Sequence, residues 1–218
     1  MQITPRVAVD VIIFTMRDEA LQVLLVQLKT SPYAGMWAFP GGLVSGGEST
    51  EAAAVRDLLE TTGGRDVYLE QLYTFCNPNR DPHGHVVSVA YFALVNSDQM
   101  KLRIPGKCVN IGWFSVETPP PLAYDHADML DYALRRLRWK LEYTNIVYSL
   151  LPRDFTLTEL QRVYEIILDR ALDKRNFRKK MLSLGLLQAI PRVAKAGAHR
   201  PARLYRFRRR KPMIIEVL

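Results

Sequence analysis

Two apolar runs open the chain. Arg6–Phe14 and Leu21–Leu28 are rich in Val, Ile and Leu, with Arg17, Asp18 and Glu19 between them, which predicts two strands joined by a polar turn. A stretch holding Gly35, Pro40, Gly41, Gly42, Gly46 and Gly47 follows and predicts loop. From Glu48 to Thr61, Ala52, Val55, Leu58 and Leu59 recur at helical spacing, and Gly63-Gly64 ends the pattern. Val67–Phe75, His85–Val95 and Ile111–Val116 predict further strands. Two strands, a loop, a helix and more strands predict an α/β domain with a mixed sheet.

Glu117–Pro121 is a proline-rich break, and Tyr124–Tyr143 then predicts a long helix with Met129, Leu130, Tyr132, Ala133, Leu137 and Leu141 on its apolar side. The domain boundary falls near its end, giving domains 1–145 and 146–218. In the second domain Thr156-Leu157-Thr158-Glu159 predicts a capping box, with Leu157, Leu160, Val163, Tyr164 and Ile167 on one side of the helix that follows. Asp173 is an N-cap and Gly185 a stop for a second helix, whose Phe177, Met181 and Leu184 face the core. Leu187–Val193 and Arg203–Phe207 predict a terminal hairpin. The expected class is therefore α+β: a mixed-sheet α/β/α domain followed by a helix-turn-helix with a wing.

Charge separates the two parts. The chain of 218 residues carries a net charge of +8, but residues 151–218 hold 17 Lys and Arg against 6 Asp and Glu, a net of +11. Residues 1–150 are left with 13 basic and 16 acidic groups, a net of −3. A strongly basic end on an acidic body points to a polyanion partner for that end. In the second helix of the turn motif, Arg175, Asn176, Arg178 and Lys179 are expected on the outer face, with Lys174 and Lys180 flanking. Arg and Lys suit guanine edges, Asn suits adenine edges, and all hold phosphates. Thr156, His199, Arg200 and Arg203 complete the expected set of DNA contacts, the wing tip reaching the backbone or minor groove. No stretch is long and apolar enough to cross a bilayer, and the N-terminus lacks the sections of a signal peptide. With only Cys76 and Cys108 and no metal-ligand spacing, the expectation is a cytoplasmic protein with reduced thiols and no membrane partner.

The most specific spacing lies in GGLVSGGESTEAAAVRDLLETTGG, from Gly41 to Gly64. It resembles the Nudix box, G-x5-E-x7-R-E-U-x-E-E-x-G-U with U apolar: Gly42, Glu48, Arg56, Leu58, Glu60 and Gly63 fall on the pattern. Pyrophosphate hydrolysis needs divalent cations to hold phosphate oxygens and activate a water, and acids at i, i+3 and i+4 of a helix share the face that holds them. Here the three acid positions are Asp57, Glu60 and Thr61, so one carboxylate is retracted and one is lost, and Gly64 stands where an apolar residue belongs. Pyrophosphatase activity is expected to be weak or absent: no cofactor is required, no residue is expected to be catalytic, and Glu48, Arg56, Asp57 and Glu60 remain as a residual box with at most weak magnesium binding at Glu60. The expected ligand set adds Trp37, Phe39 and Tyr73 as stacking aromatics and Arg80 as a phosphate partner. Gly41, Gly42, Arg56 and Glu60 of the box complete it.

A Nudix box followed by a winged helix resembles the NrtR-type Nudix-related transcriptional regulators of NAD metabolism. Val86–Val95, Asp125-His126-Ala127-Asp128 and Arg200-Pro201-Ala202-Arg203-Leu204-Tyr205 also look like that family. The resemblance implies a homodimeric repressor on a palindromic double-stranded operator, released by ADP-ribose or a related nucleotide. Two other readings stay open: an ADP-ribose or nucleoside-diphosphate-sugar pyrophosphatase with a basic appendage, and a Nudix protein whose basic domain grips RNA.

Overall fold

The computed structural model describes residues 4–64, 67–193, 202–215 and 217. Two compact units emerge: residues 1–17 with 21–136, and residues 137–218 with 18–20.

The first unit is built on β1 (Arg6–Arg17) and β2 (Ala20–Leu28). Their connection is a two-residue turn in which Asp18 and Glu19 both take positive φ, 51° and 57°, as the hand of a tight hairpin turn demands. β3 (Trp37–Ala38), β4 (Gly41–Leu43), β5 (Tyr68–Phe75), β6 (Val86–Leu94) and β7 (Cys108–Ser115) join the same sheet, in the order β3-β2-β1-β6-β5 with β4 on β1 and β7 on β2. β1 and β6 are parallel, while β4 and β5 pair antiparallel with them, so the sheet is mixed. Two of these strands, β3 and β4, lie in the glycine-rich stretch expected to be loop throughout. Gly41 makes that pairing possible: a Cβ there would sit 2.3 Å from the Val9 carbonyl oxygen and 2.6 Å from Asp10 Oδ1, so only glycine lets β4 come against β1.

β1 is buried from Ala8 to Phe14, the mark of a strand covered on both faces. Its odd positions Val9, Val11 and Ile13 pack with Ala53, Ala54 and Leu58 of α1 (Thr50–Thr62). Its even position Asp10 meets His126 at the start of α2 (His126–Tyr143), placing α1 and the beginning of α2 on opposite faces. α1 differs from expectation in two ways. It begins at Thr50, because Ser49 stays extended and its hydroxyl accepts from the Ala52 N–H. Its buried face is Ala53, Ala54, Asp57, Leu58, Thr61 and Thr62, while Val55 is 40% exposed. The apolar spacing misplaced the face because threonines occupy it, their hydroxyls satisfied by the helix's own carbonyls at Asp57 and Leu58. Gly63, with φ 63°, closes the helix in the left-handed conformation.

In the second unit β8 (Phe155–Thr156) leads into α3 (Leu157–Leu168), α4 (Lys174–Ser183), β9 (Leu187–Val193) and β10 (Arg203–Phe207), with the three strands ordered β8-β10-β9 and antiparallel. Both halves of the capping box form: the Thr156 hydroxyl accepts from the Glu159 N–H at 3.1 Å, and the Glu159 carboxylate accepts from the Thr156 N–H at 2.6 Å. Leu160, Val163, Tyr164 and Ile167 are buried as their spacing predicts, and Tyr164 meets Phe177 of α4 edge-on at 5.4 Å. The turn between the helices is pinned by side chains. Glu165 Oε1 accepts from the Leu172 N–H, and the Gln161 amide donates to the Leu172 carbonyl, both at 2.9 Å. The outer part of the wing, residues 194–201, lies outside the described residues, and with it His199 and Arg200.

Replacing the cap tests how far α3 depends on it. Thr156→Ala is expected to cost about 1 kcal/mol, read as a lower urea midpoint by far-UV circular dichroism. An unchanged midpoint would mean that the capping box adds nothing to the unit.

Candidate ligand pocket and nucleic-acid face

A carboxylate on a strand covered on both faces must find partners, and Asp10 has three. Ser88 Oγ on the neighbouring β6 donates to Asp10 Oδ2 at 2.6 Å, Arg80 Nη2 lies 3.5 Å from the same oxygen, and His126 Nε2 lies 3.5 Å from Oδ1. Arg80, its side chain 3% exposed, is held mainly by Asp125 through two bonds of 2.9 and 2.6 Å. Burial works to lower the Arg80 pKa, but the Asp125 and Asp10 carboxylates outweigh it, so the guanidinium is held more firmly protonated than usual. His126 is the opposite case. Burial lowers its pKa, only partly offset by Asp10, and its Nδ1 accepts from the Phe39 N–H at 3.0 Å, so the ring is neutral with its proton on Nε2 facing Asp10. Phe39 stacks on that ring at 4.8 Å and 13°.

These groups form one wall of a pocket. Its other lining includes Gly41, Gly42, Asp81, Tyr124 and Lys107. Lys107 reaches in from the loop before β7, and its ammonium donates to the Gly41 carbonyl. Tyr124 takes a left-handed φ of 55°, costly for a bulky side chain, and brings its ring to 5.3 Å from His126 and 4.6 Å from Tyr33. A second cleft adjoins this pocket through Arg80 and Tyr124 and is lined by Tyr33, Tyr73 and Asp125.

Of the residues expected from sequence to hold a ligand, Phe39, Gly41, Gly42 and Arg80 line the first pocket, and Tyr73 lines the adjoining cleft, stacked on Tyr132 at 4.9 Å. Trp37 packs edge-on against Phe114 at 4.5 Å and lines neither. Arg56 and Glu60 also stand outside both linings. The sequence reading missed Asp10, Ser88, Lys107, Tyr124, Asp125 and His126. Asp10 carried a signal, a lone acid inside an apolar strand. Lys107 carried none.

The Nudix box invites a test for a divalent cation, and the donors do not fit one. Both Glu48 oxygens accept from Arg56, at 2.9 and 3.0 Å, and Oε2 also accepts from the Ser45 N–H. Those bonds hold the Glu48 carboxyl below the usual range, the Arg56 contact first. Asp57 Oδ1 accepts from Arg56 at 3.1 Å, and its buried Oδ2 has no hydrogen-bond partner. Burial pushes the Asp57 pKa up against the pull of Lys107 and Arg56. The Thr61 hydroxyl is spent on helix carbonyls, and Glu60 is exposed, off the buried face that Asp57 and Thr61 share. Magnesium keeps several waters and needs one or two carboxylates to hold it, and here Glu48 and Asp57 are drawn to Arg56 while Glu60 stands off their face. Among the described residues no cluster of three His, Cys, Asp or Glu could hold a metal ion.

On the second unit, Lys174, Arg175, Asn176 and Lys179 are all exposed on α4, as the helical wheel requires. Arg178 is turned aside: it is half-buried, and its Nη2 donates to Thr158 Oγ1 at 3.0 Å across to α3. It lines a cleft with Thr156, Thr158, Arg203 and Tyr205. Thr156 is buried and its hydroxyl serves the capping box, while Arg203 is exposed at the start of β10.

Comparison with known proteins agrees with both halves. Residues 4–133 match the NUDIX domain family, and residues 147–207 match the family described as the NrtR DNA-binding winged helix domain. A protein of Acinetobacter baylyi described as an ADPR responsive transcriptional repressor, NtrR, is 41% identical over 94% of this chain and 82% of its own length. The crystal structure of Shewanella oneidensis NrtR complexed with a 27mer DNA superposes with a TM-score of 0.84 at 33% identity, covering 93% of each chain. The NUDIX domain of the same protein, solved with ADP ribose, matches with a TM-score of 0.57 at 34% identity over 62% of this chain and 90% of that one. On the length of these matches and the order of the two domains, the chain belongs to the NrtR family, a Nudix domain followed by an NrtR winged helix.

Proposed function

We propose that the protein is a transcriptional repressor whose winged helix binds operator DNA and whose Nudix pocket binds ADP-ribose as the releasing signal. The observation that carries this reading is a pocket built for a ligand beside a Nudix box whose acids do not assemble a metal site. Phe39, Gly41, Gly42, Lys107 and the buried Asp10–Arg80–His126 network are in place, while Glu48 is bound by Arg56 and Thr61 offers no carboxylate. The exposed Arg175, Asn176 and Lys179 present α4 to the major groove. We further propose that the protein acts in the cytoplasm as a homodimer on a palindromic site controlling NAD-metabolism genes, and that its hydrolytic activity is weak or absent.

Fluorescence anisotropy of a labelled duplex from upstream of the protein's own operon tests this directly. Tight binding that resists competitor DNA and is relieved by ADP-ribose is expected, with AMP released from ADP-ribose and magnesium far below about 1 per second. Weak, sequence-blind binding together with ordinary turnover would replace the repressor with a pyrophosphatase.

Arg175→Ala and Lys179→Ala together should abolish tight operator binding, and each lost phosphate contact should flatten the salt dependence by about 1 in logarithmic slope. Unaltered operator affinity would remove α4 from the interface.

The neutral, buried His126 sets a pH dependence. Its folded pKa lies below the unfolded value of about 6.5, so its contribution to stability is full above that value and is lost as the pH falls through the folded pKa. Urea midpoints should therefore decline from about pH 7 toward pH 5, and His126→Gln should flatten that decline. Parallel curves for the two proteins would place the acid sensitivity elsewhere.

A further inference from the structure

The pocket is lined by two cationic side chains, and they are not equivalent. The Arg80 guanidinium spends its Nε and Nη2 on Asp125 and lies against Asp10, so most of its charge is already answered within the protein. Among the described residues the Lys107 ammonium has a single partner, the Gly41 carbonyl. Two of its three donors remain for a ligand. Its position is tied to the box itself. A Cβ on Gly42 would stand 2.8 Å from Lys107 Nζ and 3.9 Å from Asp57 Oδ2, so the ammonium and the unpartnered Asp57 oxygen share the space that this glycine leaves open. The Asp57 carboxyl feels Lys107 as the strongest of the charges that favour its ionised form.

A diphosphate carries negative charge that must be met wherever it is bound out of water. In a metal-loaded site a divalent cation between acids and phosphate oxygens meets it. Here Glu48 and Asp57 are bonded to Arg56, Thr61 carries no charge and Glu60 stands exposed, while the Lys107 ammonium lies over the same glycine-rich backbone. We propose that Lys107 replaces the divalent cation as the counter-charge for the ligand's diphosphate, so that ligand binding requires no metal. The proposal rests on the reading of ADP-ribose as the ligand.

Isothermal titration of the full chain with ADP-ribose, in EDTA and then in magnesium chloride, separates the two claims. Binding of equal strength in both buffers is expected, changing by no more than about twofold, because Glu48 and Asp57 are engaged by Arg56 and Thr61 offers no carboxylate to tie magnesium to the diphosphate. Lys107→Met should weaken binding about tenfold or more in either buffer, the worth of a charge-assisted bond, whereas Lys107→Arg should keep most of the affinity. Lys107 is exposed, so neither variant disturbs the core. Wild-type binding that appears only with magnesium would overturn the proposal and leave ADP-ribose as the ligand. Lys107→Met binding within about twofold of wild type would overturn it as well. No binding of ADP-ribose by the wild type in either buffer would refute the ligand reading itself, and the proposal with it.

Discussion

The carboxylate of Asp10 is the constraint around which the first unit is arranged. It sits on the central strand, in a run buried on both faces, where an unpaired charge would cost several kcal/mol. Ser88 answers it from β6, Arg80 from the segment between β5 and β6, and His126 from the start of α2. Each partner brings a neighbour into register: Arg80 carries Asp125, and His126 orients the Phe39 N–H and stacks on the Phe39 ring. The same carboxylate crowds Gly41, where a side chain would meet Asp10 Oδ1 at 2.6 Å, and so keeps β4 and the first residues of the Nudix box against the sheet. Pocket wall and pocket floor follow from one buried charge.

The fold was legible where burial follows apolar spacing and caps follow local chemistry. β1 and β2, the capping box at Thr156 and the buried Leu160, Val163 and Tyr164 of α3 all agree with the reading from residues alone. The failures share a cause. The face of α1 was misplaced because Thr61 and Thr62 are buried with their hydroxyls bonded within the helix, which no hydrophobic pattern registers. β3 and β4 were hidden among glycines whose purpose is close backbone approach, and that shows only once β1 is beside them. Arg178 was placed with the outer face by its position, yet Thr158 of the preceding helix draws it inward.

The candidate site was legible only in part because its chemistry is assembled across long separations. Lys107 and Gly41 are bonded 66 positions apart, and Phe39 and His126 are 87 apart. The box motif brought attention to one helix and the turn before it, where Arg56 bonds both Glu48 and Asp57 and Thr61 bonds to its own backbone. The residues that remain open to a ligand come from the strand ends and loops around it.

That arrangement suits a receptor better than a catalyst. Hydrolysis demands charge stabilisation that grows toward the transition state, whereas a sensor needs the ligand bound intact and long enough to shift an equilibrium. The shift is limited by differential affinity: moving a population from almost wholly one state to almost wholly the other takes about 5.5 kcal/mol. Contacts that stay the same in both states contribute nothing to such a difference. The groups able to contribute are those that change partners on binding, and these are few. One such group is His126, which opens α2 and faces Asp10 in the pocket wall, so a ligand that displaced that contact would act first on the start of this helix.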